Sequence, residues 1–556
     1  PGAAPSAPRR GRIAVLASVS LLLVPALLLF WWTRGPAPPS DLLVAVPAPR
    51  LEPDAPPAAH LLADALRLGL LRAAALDGVS TVSPEVVDPV APAGSGALSS
   101  AEIARATAAS EILAARLECA PLSCRIRLQR LDPRGLALWV EDFEVPVDEP
   151  HLASRAAVAA LQRAYPGRAP DVVGERSGPT ERDYRRFLEL RRQFVAGPSA
   201  AELERIDDGV SRLLGRSAAS VDLHLLAAHV KGRLFALGRD RGHHLQALQH
   251  AEQAMARDPH DARAASLSVT LLLEAGELEQ ARARLREFEA SFPADPLVLA
   301  ARAWLASLGG EVDLALDTFA ELATRRPSFF NWFRLARFEI EHGRLESARS
   351  HLELALAAFP GHRRSRSLLA QLELMGGRVE RAAQIYAELA AQQPRLPVLS
   401  NLGLAQLLLG RFAEAAESFG RAADLAPEHA GLRLNLADAT LLTGRAEEAR
   451  RHYRRTVELA SGDPSSDGWQ MRSIRAQALA HLGRRKEAVA AVQAVLRLAP
   501  DNPQAHYEAA LVYTLAGDDI SAAVQAEAAL AAGLDRRWFR LPFFDGLAVD
   551  ALRVGG

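Results

Sequence analysis

A spacing constrains this chain more than any other feature. Ala247, Ala281, Ala315, Ala348, Ala382, Ala415, Ala449, Ala488 and Ala522 follow one another at intervals of 34, 34, 33, 34, 33, 34, 39 and 34 residues. Five residues before each stands a glycine: Gly242, Gly276, Gly310, Gly343, Gly377, Gly410, Gly444, Gly483 and Gly517. Twelve residues after seven of the alanines comes a proline, at Pro259, Pro293, Pro327, Pro360, Pro394, Pro427 and Pro500. A fixed period of this length is one supersecondary unit repeated, each copy burying its apolar face against the next. The segments between the marks are rich in Ala and Leu, which are strong helix formers. The spacing predicts two antiparallel helices per unit, with the glycine turning the chain, the alanine where the helices touch closely and the proline ending the unit.

In the unit around Gly410, the residues Leu402, Gly403, Gly410, Ala415, Phe419, Ala422 and Pro427 occupy small, aromatic and terminating positions. On these marks the chain from about residue 222 to 534 resembles the tetratricopeptide family, in nine repeats. The expected fold class is mainly α, a superhelix of helical hairpins. Two departures fall at loops: LGRDRGHH in the first repeat, and SGDPSSDGWQ, which absorbs the interval of 39. A helical pair over 182–216 is expected to cap the front of the array. The segment 535–556, with Trp538, Phe539, Phe543 and Phe544, is expected to close its exposed apolar end.

The resemblance implies a groove, lined by the first helix of each pair, that binds a protein or peptide partner. By register Phe333, Arg337, Gln371, Asn401, Leu404, Asn435, Asp438 and Gln477 fall on or near that inner face. The family's carboxylate-clamping variant uses lysines and asparagines there. Lys231 and Lys486 are the only lysines of the chain, so capture of a free carboxyl terminus in that manner is not expected, although arginine could substitute in part.

Ahead of the repeats the texture changes. Residues 1–12 form a short lead, and from Ile13 to Trp32 run twenty uncharged, mostly apolar residues, IAVLASVSLLLVPALLLFWW, about the length that crosses a hydrocarbon core as helix. Arg9, Arg10 and Arg12 precede this run and Arg34 follows it. That asymmetry predicts a single-pass anchor with a cytoplasmic amino terminus and an extracytoplasmic, periplasmic bulk. A cleaved signal peptide is the rival, but its apolar stretch is expected to be roughly 7 to 15 residues. Residues 33–40 then read as a Pro-rich tether.

The segment 41–170 mixes element types and is expected to be a small α/β domain. LLVAVPAP, STVSP, EILAARLEC, CRIRLQRL and LALWVEDFEV suit extended structure. HLLADALRLGLLRAAAL, SSAEIARATAAS and Leu152 to Tyr165 suit helices, with Ser99 or Ser100 as cap and Glu102 in the first turn. Cys119 and Cys124 are the only cysteines and bracket the turn between two of these strands. A structural disulfide and a pair of free thiols are both open. A redox or metal role is disfavoured, because neither Cys-x-x-Cys spacing nor further ligands are near.

The 65 basic and 66 acidic residues cancel to a net charge of −1, so no global field draws the chain to nucleic acid, and no nucleic-acid partner is expected. Neither lysine sits in a Gly-rich phosphate loop, and no kinase catalytic loop is present. His243, His244 and His250 cluster in the first repeat, but HExxH is absent. They are expected to be solvent-exposed, with no metal, no cofactor, no catalytic residues and no small-molecule substrate. The chain therefore reads as a non-catalytic anchored scaffold. The order of span, α/β domain and repeats also resembles the extracytoplasmic half of bacterial regulators whose cytoplasmic output is a serine/threonine kinase or a winged-helix domain. The alternative is thus the sensor region of such a protein, its output domain preceding Pro1.

Overall fold

The computed structural model describes residues 42–547 apart from 77, 92–97, 169–179, 218, 260, 294 and 463–467. The expected span at 13–32, its lead and its tether lie outside these residues. Among the described residues no helix is long and apolar enough to cross a membrane. The chain divides into two compact units, residues 1–342 with 357–361, and residues 343–356 with 362–556.

The first unit opens with a mixed sheet. Its strands β1 (Leu42–Ala45), β3 (Val79–Thr81), β4 (Glu111–Cys119), β5 (Ser123–Leu131) and β6 (Ala137–Pro146) lie in the order β3-β1-β4-β5-β6, and the two-residue β2 (Arg50–Leu51) also pairs with β4. β1 runs parallel to β3 and β4, whereas β4, β5 and β6 form an antiparallel meander. Strand alternation sends Val44, Val46, Leu113 and Leu117 to one face, under α1 (Pro57–Leu71) and α4 (Pro150–Ala164). Leu43, Ala45 and Ile112 go to the other, under α2 (Pro84–Val87) and α3 (Ser100–Thr107). α3 starts as its sequence predicts: Ser99 and Glu102 form a reciprocal capping box. Cys119 and Cys124 are directly opposite each other on β4 and β5 and are bonded, their Cα atoms 4.0 Å apart.

A buried charge ties β4 to β5. Arg130 grips Glu111 through two bonds of 2.7 Å, donates to the Ala164 carbonyl at 2.8 Å and lies over the Tyr165 ring at 4.4 Å. The planar guanidinium satisfies the buried carboxylate and stacks at once, which a lysine could not do.

Helical pairs follow. A front pair, α5 (Glu181–Val195) and α6 (Ala200–Leu214), precedes three repeats, α7 (Val221–Gly238) with α8 (Arg241–Arg257), α9 (Ala262–Ala275) with α10 (Leu278–Ser291), and α11 (Pro296–Leu308) with α12 (Val312–Arg325). The helix α13 (Phe329–Glu341) also belongs to this unit, whereas α14 (Leu345–Ala358) falls mostly in the second unit. The boundary expected near residue 170 separates elements that share one core: Ala65 and Leu68 of α1 are buried among Tyr184, Phe187 and Leu188 of α5 and Leu223 and Leu226 of α7. Phe329 of α13 is buried against the far face of the sheet.

The second unit continues with α15 (Arg363–Met375), α16 (Val379–Gln392), α17 (Leu396–Leu408), α18 (Phe412–Leu425), α19 (Ala430–Leu442), α20 (Ala446–Gly462), α21 (Trp469–His481), α22 (Arg485–Leu498), α23 (Pro503–Ala516) and α24 (Asp519–Ala531). All nine marker alanines lie on second helices and are 0% exposed. Close approach explains the small residues on the facing helices. A Cβ on Gly403 would stand 2.8 Å from the Phe419 ring.

Eight of the nine marker glycines turn the chain with φ between 72° and 85°, a conformation that a Cβ disfavours. Gly242 does not. It is the second residue of α8, and the turn is made by Arg239 at φ 55°, with the Asp240 carboxylate accepting from the Gly242 N–H at 2.9 Å. An aspartate cap thus replaces the glycine turn. The neighbouring histidines also differ from expectation. His244 is 1% exposed against Phe235, and His250 meets His224, Nδ1 to Nδ1, at 3.1 Å. Packing of α8 on α7 buries His244 and leaves His243 and His250 half-buried. Among the described residues no group of three or more His, Cys, Asp or Glu is placed to hold a metal ion.

Candidate functional site

Of the eight inner-face residues expected from register, Phe333 and Arg337 belong to α13 in the first unit. Phe333 is half-buried and Arg337 is exposed, 3.5 Å from Glu341. The other six lie on first helices of the second unit: Gln371 on α15, Asn401 and Leu404 on α17, Asn435 and Asp438 on α19, and Gln477 on α21. Gln371 is exposed and Asn435 half-exposed. Asn401 donates to the Tyr386 hydroxyl at 3.0 Å, and Leu404 packs on the hydrophobic core. Gln477 is buried, 3.5 Å from the Ser473 hydroxyl.

Asp438 sits at the centre of a polar cluster. The Tyr453 hydroxyl donates to its Oδ1 at 2.7 Å, and His481 Nε2 stands 3.5 Å from the same oxygen. The His481 ring stacks on Tyr453 at 4.5 Å with an interplanar angle of 8°. Burial pushes the Asp438 carboxyl up to about 7, only partly countered by the Tyr453 bond, and pulls the His481 imidazole down to about 4. Near neutral pH the imidazole is uncharged and the carboxyl is partly protonated. On α23, burial also raises Glu508, which accepts from Ser473 and, at 2.8 Å, from Gln504.

Sequence reasoning missed two residues of this wall. Tyr507 stands fifteen residues before Ala522, the register of Phe333 before Ala348, and His481 is one helical turn beyond Gln477. Both were available from the repeat alignment.

Their importance lies in what they hold. Residues 536–540 and 542–544 form two short 3-10 turns, and the side chains of this segment lie against the inner-face residues. Phe543 meets the His481 ring edge-on at 5.2 Å. Trp538, Phe539 and Phe544 surround Tyr507 at 6.0, 5.3 and 5.6 Å. Arg537 pairs with Asp535 at 2.5 Å and reaches the Leu374 carbonyl at the end of α15, 163 residues away, at 3.4 Å. Phe539, Leu541, Phe544 and Leu547 are buried in the unit's core. The expected cap over 535–556 is therefore corrected for its described part. Besides contacting α23 at the end of the array, it reaches back to α21 through Phe543 and to α15 through Arg537.

Residues 239–305, 339–407 and 400–464 match family models described as tetratricopeptide repeat. No curated protein shows a significant match. Similar solved structures include a tetratricopeptide repeat protein from Parabacteroides merdae, 17% identical, covering 43% of this chain and 93% of its own, with a TM-score of 0.37. Another is the C-terminal part of a repeat-containing protein from Cytophaga hutchinsonii, 18% identical, covering 43% and 97%, with a TM-score of 0.34. A third is a thermophilic protein of Thermus thermophilus, 24% identical, covering 32% and 95%, with a TM-score of 0.27. With the period, the turn glycines, the buried alanines and the matched models together, residues 239–305 and 339–464 carry tetratricopeptide repeats.

Proposed function

We propose that this chain is a non-catalytic scaffold that holds a protein or peptide partner on the inner face of its repeats, anchored in a membrane by residues 13–32 with the bulk on the extracytoplasmic side. One observation carries the reading: His481 and Tyr507 on first helices of the second unit, with the Leu374 carbonyl at the end of α15, hold a segment that is neither helix pair nor strand. A wall that orders one such segment has the pockets and hydrogen-bonding groups to order another. The bonded Cys119–Cys124 pair fits an oxidising compartment.

A photo-crosslinking residue at Gln371 or Asn435, on the inner face, is expected to capture one and the same protein in intact cells. The same residue at Glu447, on a second helix, is expected to capture none of it. Equal capture from both faces overturns the reading. Protease added to intact spheroplasts should digest the repeats, and protection would overturn the topology.

A further inference from the structure

The segment seated in the second unit's groove specifies what kind of partner fits there. We propose that residues 535–547 are a tethered stand-in for the partner, whose binding segment carries an arginine followed closely by a run of aromatic side chains and enters by displacing this tail. The inference rests on the groove reading above and adds the ligand's chemistry.

Three features support it. The tail uses inner-face positions in the repeat register, Tyr507 and His481, and not the flat end of the stack alone. The arginine has a built seat at the α15–α16 turn. A Cβ on Gly377 would overlap the Arg537 guanidinium, whereas the corresponding turn glycines Gly343, Gly410, Gly444, Gly483 and Gly517 have no heavy atom within 4 Å of that point. The fit is also incomplete. His481 is 2% exposed and its Nε2 makes no close hydrogen bond: Asp438 Oδ1 stands 3.5 Å away, and on the tail side the ring meets only the hydrocarbon ring of Phe543, edge-on. A buried polar atom left unbonded costs free energy that a ligand with a polar group at that point recovers. The tail is thus a ligand that a better one can replace.

The test uses a fluorescently labelled synthetic peptide of residues 534–547 and anisotropy titrations against the full chain. Against the wild type, occupied by its own tail, weak binding is expected. The variant Trp538→Ala with Phe543→Ala should bind the peptide at least tenfold more tightly, and adding Tyr507→Ala should abolish the gain. A peptide with Arg537→Ala should lose about tenfold. In case the tail variant melts, a protease site inserted after Gly533 and cut in the folded chain gives the second arm, in which the severed tail should exchange for labelled peptide.

A helical, cooperatively melting loosened or cut chain that takes up no peptide, or binds it no better than wild type, overturns the proposal. So does a cut chain that unfolds when its tail leaves, since the segment is then core. If inner-face crosslinks to a partner persist in either case, the groove reading stands while this one falls.

Discussion

Arg72 and Asp222 meet at 3.2 Å across 150 residues of sequence, joining the end of α1 to the start of α7. Arg263 takes the other oxygen of Asp222, also at 3.2 Å, and Arg72 reaches Asp258 at 3.3 Å. Burial alone would raise the Asp222 carboxyl, but the two guanidiniums more than offset it and hold the group at about 2. Removing one partner from a buried pair costs about 3 kcal/mol, so Arg72→Ala should lower the urea midpoint clearly at pH 7. The folded pKa lies below the unfolded one. The stability from this group, about 2 kcal/mol, is therefore present above the ordinary carboxylate range and lost as pH falls towards 2. Urea melts of wild type and Asp222→Asn at pH 7 and pH 2.5 check this: the gap between them should narrow in acid.

The turn glycines offer a comparison that isolates the tail. Gly377→Ala and Gly410→Ala both force a Cβ into positive φ, at about 1 kcal/mol each. Only at Gly377 does that Cβ also overlap Arg537. Gly377→Ala should therefore cost about 1 kcal/mol more, and in an Arg537→Ala background the two should become equal. Thermal melts of the four variants measure it.

Asp438 sets a response between the ordinary carboxylate range and neutral pH. Its folded pKa, about 7, lies above the unfolded value, so the folded state binds more protons and stability falls as pH rises through 7. Between pH 6 and 8 the wild type should lose about 1 kcal/mol through this group. Asp438→Asn keeps an oxygen for Tyr453 and should remove that slope. Because His481, held at about 4, contributes the opposite slope over this range, the difference is the check: a gap between wild type and Asp438→Asn that stays constant in denaturant melts at pH 6, 7 and 8 would contradict the assignment.

The Cys119–Cys124 bond closes a loop with a sequence separation of 5. In the chain-entropy description a loop that short is worth about 2 kcal/mol. Cys119→Ser with Cys124→Ser should lower stability by that order, and dithiothreitol should shift the wild-type melt but leave the double variant where it is.

What was legible in the sequence is what depends on the backbone or on a single close contact. Gly276 to Gly517 mark positive φ, Ala247 to Ala522 mark helix crossings, and Ser99 with Glu102 marks a helix start, because each is a local requirement that few residue types meet. Gly242 misled for the complementary reason: Asp240 caps the helix with its side chain, so the turn needed no glycine and the alignment alone could not show it. The burial of His244 and the docking of Ala65 and Leu68 on α5 and α7 are tertiary, set by which apolar faces meet and not by any residue's own preference. Register singled out Asp438 and Gln477, which lie on first helices of the second unit close to His481 and Ser473. It gave no sign that Phe543 and Arg537 would fold back onto those helices, since aromatic density alone suits an end cap as well as a groove.

Strand β6 borders the meander with one side unpaired among the described strands, and it is the longest in the sheet. Leu138 and Val140 stand out from it at 48% and 47% exposure, a composition that invites a second copy to add on in cross-β fashion. Glu141, Asp142 and Glu144 follow directly. An antiparallel copy centred on Asp142 would set carboxylate against carboxylate on the two chains. This border polices itself, and neutralising those three acids should make the protein polymerise faster on storage than the wild type does.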